Sequence, residues 1–178
     1  MKHSTVISGV AFSAGLILLA ASQPLTADDD HRDRIRVKLN GLNENLMALS
    51  TPATGRFNAK INRQGDASID YELSYEGFPT PVQQAHIHFG QKYQNGGISV
   101  FLCSNLGNGP AGTQACPTPA GTITGTIVAA NVIGPAGQGI AAGEFAELLD
   151  AMDRGATYVN IHSMQYPGGE IRAQIKVR

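Results

Sequence analysis

Alternating apolar and polar side chains run through most of the chain and predict short β-strands. The clearest case is residues 34–39, where Arg, Arg and Lys alternate with Ile, Val and Leu. Successive side chains on a strand point to opposite faces, so this alternation indicates a strand with one buried face. The same reasoning predicts seven further strands, at residues 56–61, 68–75, 84–89, 98–102, 122–128, 158–162 and 170–177.

One segment has helical spacing instead. From Phe145 onward, apolar side chains recur at i, i+3, i+4 and i+7, which places them on one stripe of a helix over residues 143–154. Gly155 supplies the stop, because glycine commonly ends helices in the left-handed conformation. Eight short strands with one helix predict an all-β domain, either a sandwich or a flattened barrel. We expect the helix to cap one opening of this sheet structure.

The chain begins with the composition of a secretory signal peptide. Lys2 gives a positively charged start, and residues 6–21 are apolar or small apart from two serines. Ala27 offers a small residue at a cleavage site, and Ser22 is the alternative last residue of the signal. Cleavage after Ala27 removes residues 1–27.

A membrane anchor is the other interpretation of this segment. Its apolar run is too short to span a bilayer comfortably, and no cluster of positive residues follows it at once. We therefore expect an exported protein, periplasmic or secreted, with one domain at residues 28–178 and no membrane span after cleavage.

The charge balance does not predict a nucleic-acid or anionic-membrane partner. Lys2 is the only charged residue of the expected signal peptide, so the remaining chain carries 12 of the 13 Lys and Arg residues against all 14 Asp and Glu residues. A chain so close to neutrality has no overall attraction for polyanions. We expect a metal ion as partner, with an extracytoplasmic protein as a further candidate.

The two cysteines, Cys103 and Cys116, flank a segment rich in Gly, Pro and Asn. An isolated pair of cysteines in an exported chain predicts one disulfide, which here would staple a loop with little packing of its own. A cysteine-based metal site is the alternative, and we disfavour it because paired cysteines outside the cytoplasm usually oxidise.

Three histidines have the spacing of candidate metal ligands. His86 and His88 lie two residues apart on one predicted strand, so their side chains share a face, with Cα atoms about 6.5 Å apart. His162 lies on another predicted strand, and Met164 follows two residues later on the same face. Imidazole suits copper or zinc, and the soft sulfur of methionine suits Cu(I), so the set favours copper. The alternative is that buried histidines bond backbone carbonyls and hold the strand register.

Several segments resemble the CHRD domain, first described in chordin and common in bacterial exported proteins. They are Gln84-Ala-His-Ile-His-Phe-Gly90, Gly97-Ile-Ser-Val-Phe-Leu102, Tyr158-Val-Asn-Ile-His162 and Pro167-Gly-Gly-Glu-Ile-Arg-Ala-Gln-Ile175. The resemblance covers residues 35–177, although family members more often have Thr where this chain has Ser163. It implies an immunoglobulin-like, Greek-key β-sandwich, similar to that of the copper/zinc superoxide dismutases. It implies no generally established activity.

The similarity to the dismutases implies roles for individual residues. His86, His88 and His162 match three copper ligands, and Arg172 matches the anion-guiding arginine beside copper. Dismutases place the bridging histidine and the zinc ligands between these motifs, whereas this chain has no histidine from residue 89 to residue 161. The resemblance therefore implies one mononuclear copper site and no zinc site of the dismutase type.

Three functions are compatible with this pattern. The first is an exported module that binds one copper ion for storage, buffering or delivery, without catalysis. The second is a copper-only superoxide dismutase-like enzyme, which needs a positive approach path to an open copper. The third is a structural or protein-binding β-sandwich in which the histidines only hold strands together. Fold similarity alone does not separate these functions.

Overall fold

A computed structural model describes Met1 and residues 33–178 of the chain. The expected signal peptide, its cleavage site and His31 lie outside the described residues. The predicted strands and helix are all present, as β1 (Arg34–Asn40), β2 (Thr54–Asn62), β3 (Ser68–Glu76), β4 (Val82–Phe89), β5 (Ile98–Ser104), β6 (Gly121–Ile127), α1 (Phe145–Asp153), β7 (Thr157–Ser163) and β8 (Ile171–Gln174).

The eight strands form one antiparallel sheet in the order β5-β4-β7-β8-β1-β2-β3-β6. Strands β6 and β7 return across the fold to pair with β3 and β4, so the connections cross over as in a Greek key. The sheet is nearly closed, because the hydroxyl of Tyr71 on β3 donates to the carbonyl of Leu102 on edge strand β5 at 3.3 Å. The predicted all-β fold is confirmed.

The predicted disulfide is confirmed as well. Cys103 on β5 is bonded to Cys116, which precedes the other edge strand, β6. The bond therefore ties edge strand β5 to the connection that leads into the other edge strand. It does this together with Tyr75 on β3, whose hydroxyl donates to the carbonyl of Pro117 at 2.6 Å.

The inner face of the sheet forms the hydrophobic core. Alternate residues of the strands, such as Phe57, Leu73 and Ile87, are completely buried there, and each such side chain contributes roughly 1.5–3 kcal/mol. Helix α1 adds Leu148 and Met152 to the same core. Among residues 33–178, no helix is long and apolar enough to cross a membrane.

Strand β8 is shorter than the alternation predicted. It ends at Gln174, which lies opposite Tyr158, and the amide of Ile175 still donates to the carbonyl of Thr157 at 2.9 Å. Thr157 is the first residue of β7, so the chain beyond Ile175 has no further residue of that strand beside it. Residues 175–178 continue beside β1 through a single bridge between Val177 and Ile35. The end of a strand is thus decided by the length of its neighbour.

Candidate metal centre

Strand pairing brings the three predicted histidines together on one face of the sheet. Strands β4 and β7 are neighbours, with His86 opposite Asn160 and His162 opposite Gln84. Residues directly opposite on antiparallel strands point to the same side. Ile87, between His86 and His88, points into the core, so the histidines lie on the outer face of the sheet.

Three loops cover this outer face and bury the histidines. We call residues 41–53, 90–97 and 164–170 the loop cover. Beneath it, His86, His88 and His162 are only 0%, 8% and 6% exposed. The outer face of an antiparallel sheet is commonly solvated, so this burial is a property of the loops.

Backbone carbonyls of the loop cover determine which ring nitrogen carries the proton in His88 and in His162. Nδ1 of His88 lies 3.0 Å from the carbonyl oxygen of Gly96, and Nδ1 of His162 lies 2.9 Å from that of Pro167. A carbonyl only accepts, so both Nδ1 atoms carry the proton and both Nε2 atoms keep a free lone pair. Gly96 cannot be replaced here, because a Cβ would collide with the carbonyl of Phe89.

The ring of His86 faces the ring of His162. Nδ1 of His86 lies 3.2 Å from Nε2 of His162, and in the absence of metal it donates to that lone pair. Nε2 of His86 and Nε2 of His88 are buried and have no hydrogen-bond partner. Phe101 packs edge-on against His86, with ring centroids 4.4 Å apart, and holds its orientation. Buried polar atoms without a partner are rare in native proteins and point to a missing ligand.

The spacing of the ring nitrogens fits a single metal ion. One ligand nitrogen from each ring can be chosen so that all three lie within 4.8 Å of one another, and no other such group of three His, Cys, Asp or Glu residues occurs within residues 33–178. Two nitrogens bound to one tetrahedral ion at 2.0–2.1 Å lie about 3.3–3.4 Å apart. The observed 3.2 Å between His86 and His162 is close to that value. The three residues could therefore hold a metal ion.

All three imidazoles are neutral at neutral pH. Burial lowers the pKa of His86 to about 2, and repulsion from His162 and His88 adds to the shift. Burial also lowers the pKa of His88 to about 4, against the opposing hydrogen bond to Gly96. The pKa of His162 is lowered by burial in the same way. Neutral imidazole is the form that binds metal ions, so the site is prepared for a cation without losing protons to solvent first.

The ring of His88 is held in a stack of side chains with Tyr158 and Arg172. Its ring lies parallel to that of Tyr158, with centroids 4.7 Å apart, and the guanidinium carbon of Arg172 lies 3.3 Å from the centroid of the Tyr158 ring. Arg172 also donates to the carbonyls of Gln91 and Gln94 at 3.2 and 2.8 Å, which ties the loop cover to the sheet. Nη1 also donates to the side-chain oxygen of Asn95 at 3.4 Å, so both terminal nitrogens of the guanidinium are engaged by the loop cover. The anion-guiding role of Arg172 stays a prediction.

Sequence reasoning missed Glu44 and Asn160. The side-chain amide of Asn160 donates to Oε1 of Glu44 at 2.6 Å and to the carbonyl of Ile171 at 3.2 Å. Burial raises the pKa of Glu44 to about 7, although Arg172 and Asn160 partly oppose the shift. Asn160 could have been found, since it precedes His162 by two residues on the same strand. Glu44 lies in an irregular segment and has no such signal.

Met164 follows the end of β7 and is 59% exposed. Its backbone amide donates to the carbonyl of Pro81 at 2.9 Å, which fixes the main chain beside the site. A role for its sulfur as a fourth ligand stays a prediction.

Comparisons with known proteins place these residues in a family. Neither a comparison with curated proteins nor one with solved structures gave a match. The family model described as the CHRD domain matches residues 35–175, a range that contains all three histidines, both cysteines and Arg172. Membership supports an extracellular binding module. The chain belongs to the CHRD domain family.

Proposed function

We propose that this protein is an exported binding module that holds one copper ion through His86, His88 and His162. The ion would be stored, buffered or delivered, and the protein would not act on a substrate. The observation that carries the proposal is the group of three buried, neutral imidazoles whose ring nitrogens lie within 4.8 Å. Nε2 of His88, the atom that its tautomer leaves free for a metal, is buried without a hydrogen-bond partner.

The chemistry of the ligands favours copper. Three neutral nitrogen ligands suit copper and zinc, and affinity for divalent ions at such a site rises to a maximum at Cu(II). Both cysteines are bonded to each other, so within the described residues no free thiolate competes. Met164 directly follows β7, and as a fourth ligand its soft sulfur would favour Cu(I).

Metal binding requires a proton shift in one ring. His86 faces His162 through Nδ1, so Nδ1 would be its ligand atom and the proton on it would have to move to Nε2. His88 and His162 already present free lone pairs at Nε2. When bound, the copper ion would supply a redox-active centre. The chain would supply its burial and orientation.

Binding without catalysis is preferred over dismutation because of Arg172. A dismutase needs a free positive group to draw in superoxide, and both donors on the terminal nitrogen Nη2 of Arg172 already bond carbonyls of the loop cover. The side chain is also 97% buried, since only 3% of the residue is exposed.

Copper titration tests the proposal. The full chain should bind one Cu(II) ion, measured by calorimetry against a competing chelator, and the H86A/H88A/H162A variant should lose at least about a thousandfold in affinity. His31→Ala is the matched control and should bind as the wild type does. Single variants, followed by circular dichroism, separate loss of ligand from loss of fold. Met164→Leu should weaken Cu(I) more than Cu(II).

Three outcomes would contradict the proposal. Equal copper affinity for the wild type and the triple variant would mean that the histidines only hold strands together, and the variant should then lose stability instead. Tighter binding of zinc than of copper would overturn the identity of the metal. Steady consumption of superoxide by the copper-loaded chain would favour the enzyme.

Export is tested separately. The mature protein should begin at or near Asp28, because the small residue at Ala27 and the acidic run after it mark a cleavage site. Mass spectrometry of the extracytoplasmic fraction should detect this terminus. Detection of Met1 there would contradict cleavage.

A further inference from the structure

A cavity of about 180 Å³ lies within the loop cover, beside the histidines. All three loops line it: segments 41–53 and 164–170 supply most of its wall, and Asn95 comes from segment 90–97. Asn95 also joins two of the loops, because its side-chain oxygen accepts from the side-chain amide of Asn45 at 3.2 Å. The loop cover is therefore a lid with an opening, and the opening has room for a metal ion together with water molecules.

The wall of this cavity is also the wall of the histidine cluster. Pro167 lines the cavity, and its carbonyl oxygen lies 2.9 Å from Nδ1 of His162. Asn95 lines it as well and directly precedes Gly96, whose carbonyl oxygen lies 3.0 Å from Nδ1 of His88. A single layer of backbone therefore separates the cavity from two of the three rings.

The exposure of the rings agrees with this position. His88 and His162 each keep a small exposed area, whereas His86 is completely buried. The two rings nearest the cavity are also those whose Nε2 atoms already offer a free lone pair. An ion that arrives from the cavity would therefore meet His88 and His162 first, and His86, whose proton has to move, would complete the site.

The lining of the cavity suits a cation. Among the described residues that line it, Glu44 is the only charged one, and the exposed side chain of Met47 adds a thioether. Arg172 lies behind this wall, where its Nη1 donates to the side-chain oxygen of Asn95 at 3.4 Å. Carboxylates and thioethers both bind metal ions. A carboxylate in a narrow opening attracts cations and repels anions, so the cavity favours a metal ion over superoxide.

We propose that this cavity is the port through which the copper ion reaches the histidines, with Glu44 as the group that attracts it. The inference rests on the proposed copper site and adds the route by which that site is filled and emptied. The port controls the rates of binding and release, whereas the histidines determine the affinity.

A bulky label at the port tests the route. The two native cysteines are bonded to each other, so Leu46→Cys carries one free thiol, to which N-cyclohexylmaleimide is attached. Leu42→Cys with the same label is the matched control, because both leucines are exposed and only Leu46 lines the cavity. The label at residue 46 should slow association and dissociation of Cu(II) at least about tenfold each and change the equilibrium affinity less than about twofold. Stopped-flow quenching of tyrosine fluorescence measures both rates.

Glu44→Gln tests the attraction. At pH 8, above the pKa of Glu44 of about 7, this variant should lower the association rate of Cu(II) about fivefold at low salt, and the difference should shrink as salt rises. Glu147→Gln removes an exposed carboxylate of α1 outside the cavity and should change the rate less than about 1.5-fold. Equal losses in the two variants would remove Glu44 from the port.

Access to the rings can also be measured without copper. Diethyl pyrocarbonate modifies neutral imidazole, and mass spectrometry locates the modified residue. In the metal-free chain the label at residue 46 should slow modification of His88 and His162 at least about fivefold, measured against His31 in the same molecule. The label at residue 42 should leave these rates unchanged.

These measurements separate failure of the port from failure of the copper site. Equal rates of histidine modification in the two labelled chains would overturn the port, whether or not copper binds. Copper bound at equilibrium, with equal association rates in the two labelled chains, would overturn the port and leave the copper site standing. Protection of His88 and His162 by the label at residue 46, in a chain that binds no copper, would support the port and overturn the copper site.

Discussion

The outer face of this sheet has two regions, which are built from the same kind of strand and differ in what covers them. On β4, β7 and β8 the loop cover closes over the face, and residues such as His86, Asn160 and Arg172 are at least 97% buried. On β1 and β2 the long connections fold away, and residues such as Lys38 and Arg56 stay exposed. The covered region holds the three buried histidines, and the uncovered region holds exposed charges.

The comparison shows that loops decide what an outer strand face can do. A polar residue on an exposed strand is solvated, so its pKa and reactivity remain ordinary. The same residue under a loop is desolvated, and its hydrogen bonds are made with chosen carbonyls, as for His88 with Gly96 and His162 with Pro167. Burial of this kind creates a site, whereas exposure creates a surface for diffuse electrostatic contact.

The largest expected effect is the pH dependence of the free energy of unfolding, which comes from the covered face and not from the uncovered one. In the metal-free protein, His86 and His88 have pKa values of about 2 and about 4, below the ordinary value of 6.5. The unfolded chain therefore takes up protons below pH 6.5 while the folded chain does not, and each histidine should cost about 1.4 kcal/mol of unfolding free energy per pH unit as pH falls toward its folded pKa. Urea unfolding between pH 7 and pH 4.5 measures this.

Glu44 changes the free energy of unfolding with pH in the opposite direction to the histidines, and it supplies the control. Its folded pKa of about 7 lies above the ordinary 4.5, so its stabilising effect is present below pH 4.5 and is lost as pH rises to 7. Glu44→Gln should steepen the loss on acidification, and H86N/H88N should flatten it. R36Q/K38Q, on the uncovered face, should leave the slope unchanged. A wild-type slope equal to that of H86N/H88N would contradict the burial of neutral histidines.

The low pKa values of His86 and His88 lower the pH at which copper uptake is expected to fail. A solvated imidazole stops binding metal near pH 6.5, whereas the buried rings stay neutral well below that. Copper should therefore be retained under mildly acidic conditions.

The next effect concerns the disulfide that ties edge strand β5 to the connection before β6. C103S/C116S should lower the free energy of unfolding by about 3 kcal/mol, because the unfolded chain regains the freedom of an open loop. Copper affinity should be unchanged, since neither cysteine touches the histidines. Denaturant titration and calorimetry measure the two quantities. A collapse of copper affinity would mean that the covered face depends on closure of the sheet.

A smaller effect is expected where the loop cover is tied to the sheet. Arg172→Lys keeps the charge but loses the planar group that stacks on Tyr158 and reaches two carbonyls. Copper affinity should fall about tenfold, because His88 loses its support from behind. Arg154→Lys on the exposed end of α1 is the matched control and should change nothing. Equal affinities for the two variants would remove Arg172 from the positioning of the site.

The smallest effect belongs to the uncovered face. Lys38→Gln removes one member of the like-charge pair with Arg56 and should raise the free energy of unfolding by about 0.2–0.5 kcal/mol. Lys92→Gln, a loop cation, should have no comparable effect. Thermal unfolding at low salt measures the difference, and a destabilised Lys38 variant would mean that Lys38 has a partner that holds it in place.

Local pattern was enough to predict the strands, the helix and the pairing of the cysteines. Alternation at residues 34–39 reports a half-buried strand whatever lies beside it, and Cys103 has only one possible partner. The shared face of His86 and His88 follows from the period of a strand alone. The length of β8 could not be predicted in this way, because it depends on where β7 begins.

By itself, the sequence therefore determined the elements of this protein, the disulfide, the family and the three candidate ligands. Only the tertiary structure decided that β7 lies beside β4, that the histidines occupy the outer face, and that Glu44 of the loop cover accepts from Asn160 on β7. It also decided that Arg178 lies beside Arg34. The reason is physical. Alternation records which residues share a face, but register and loop closure are contacts between distant parts of the chain, and these determine which face is covered.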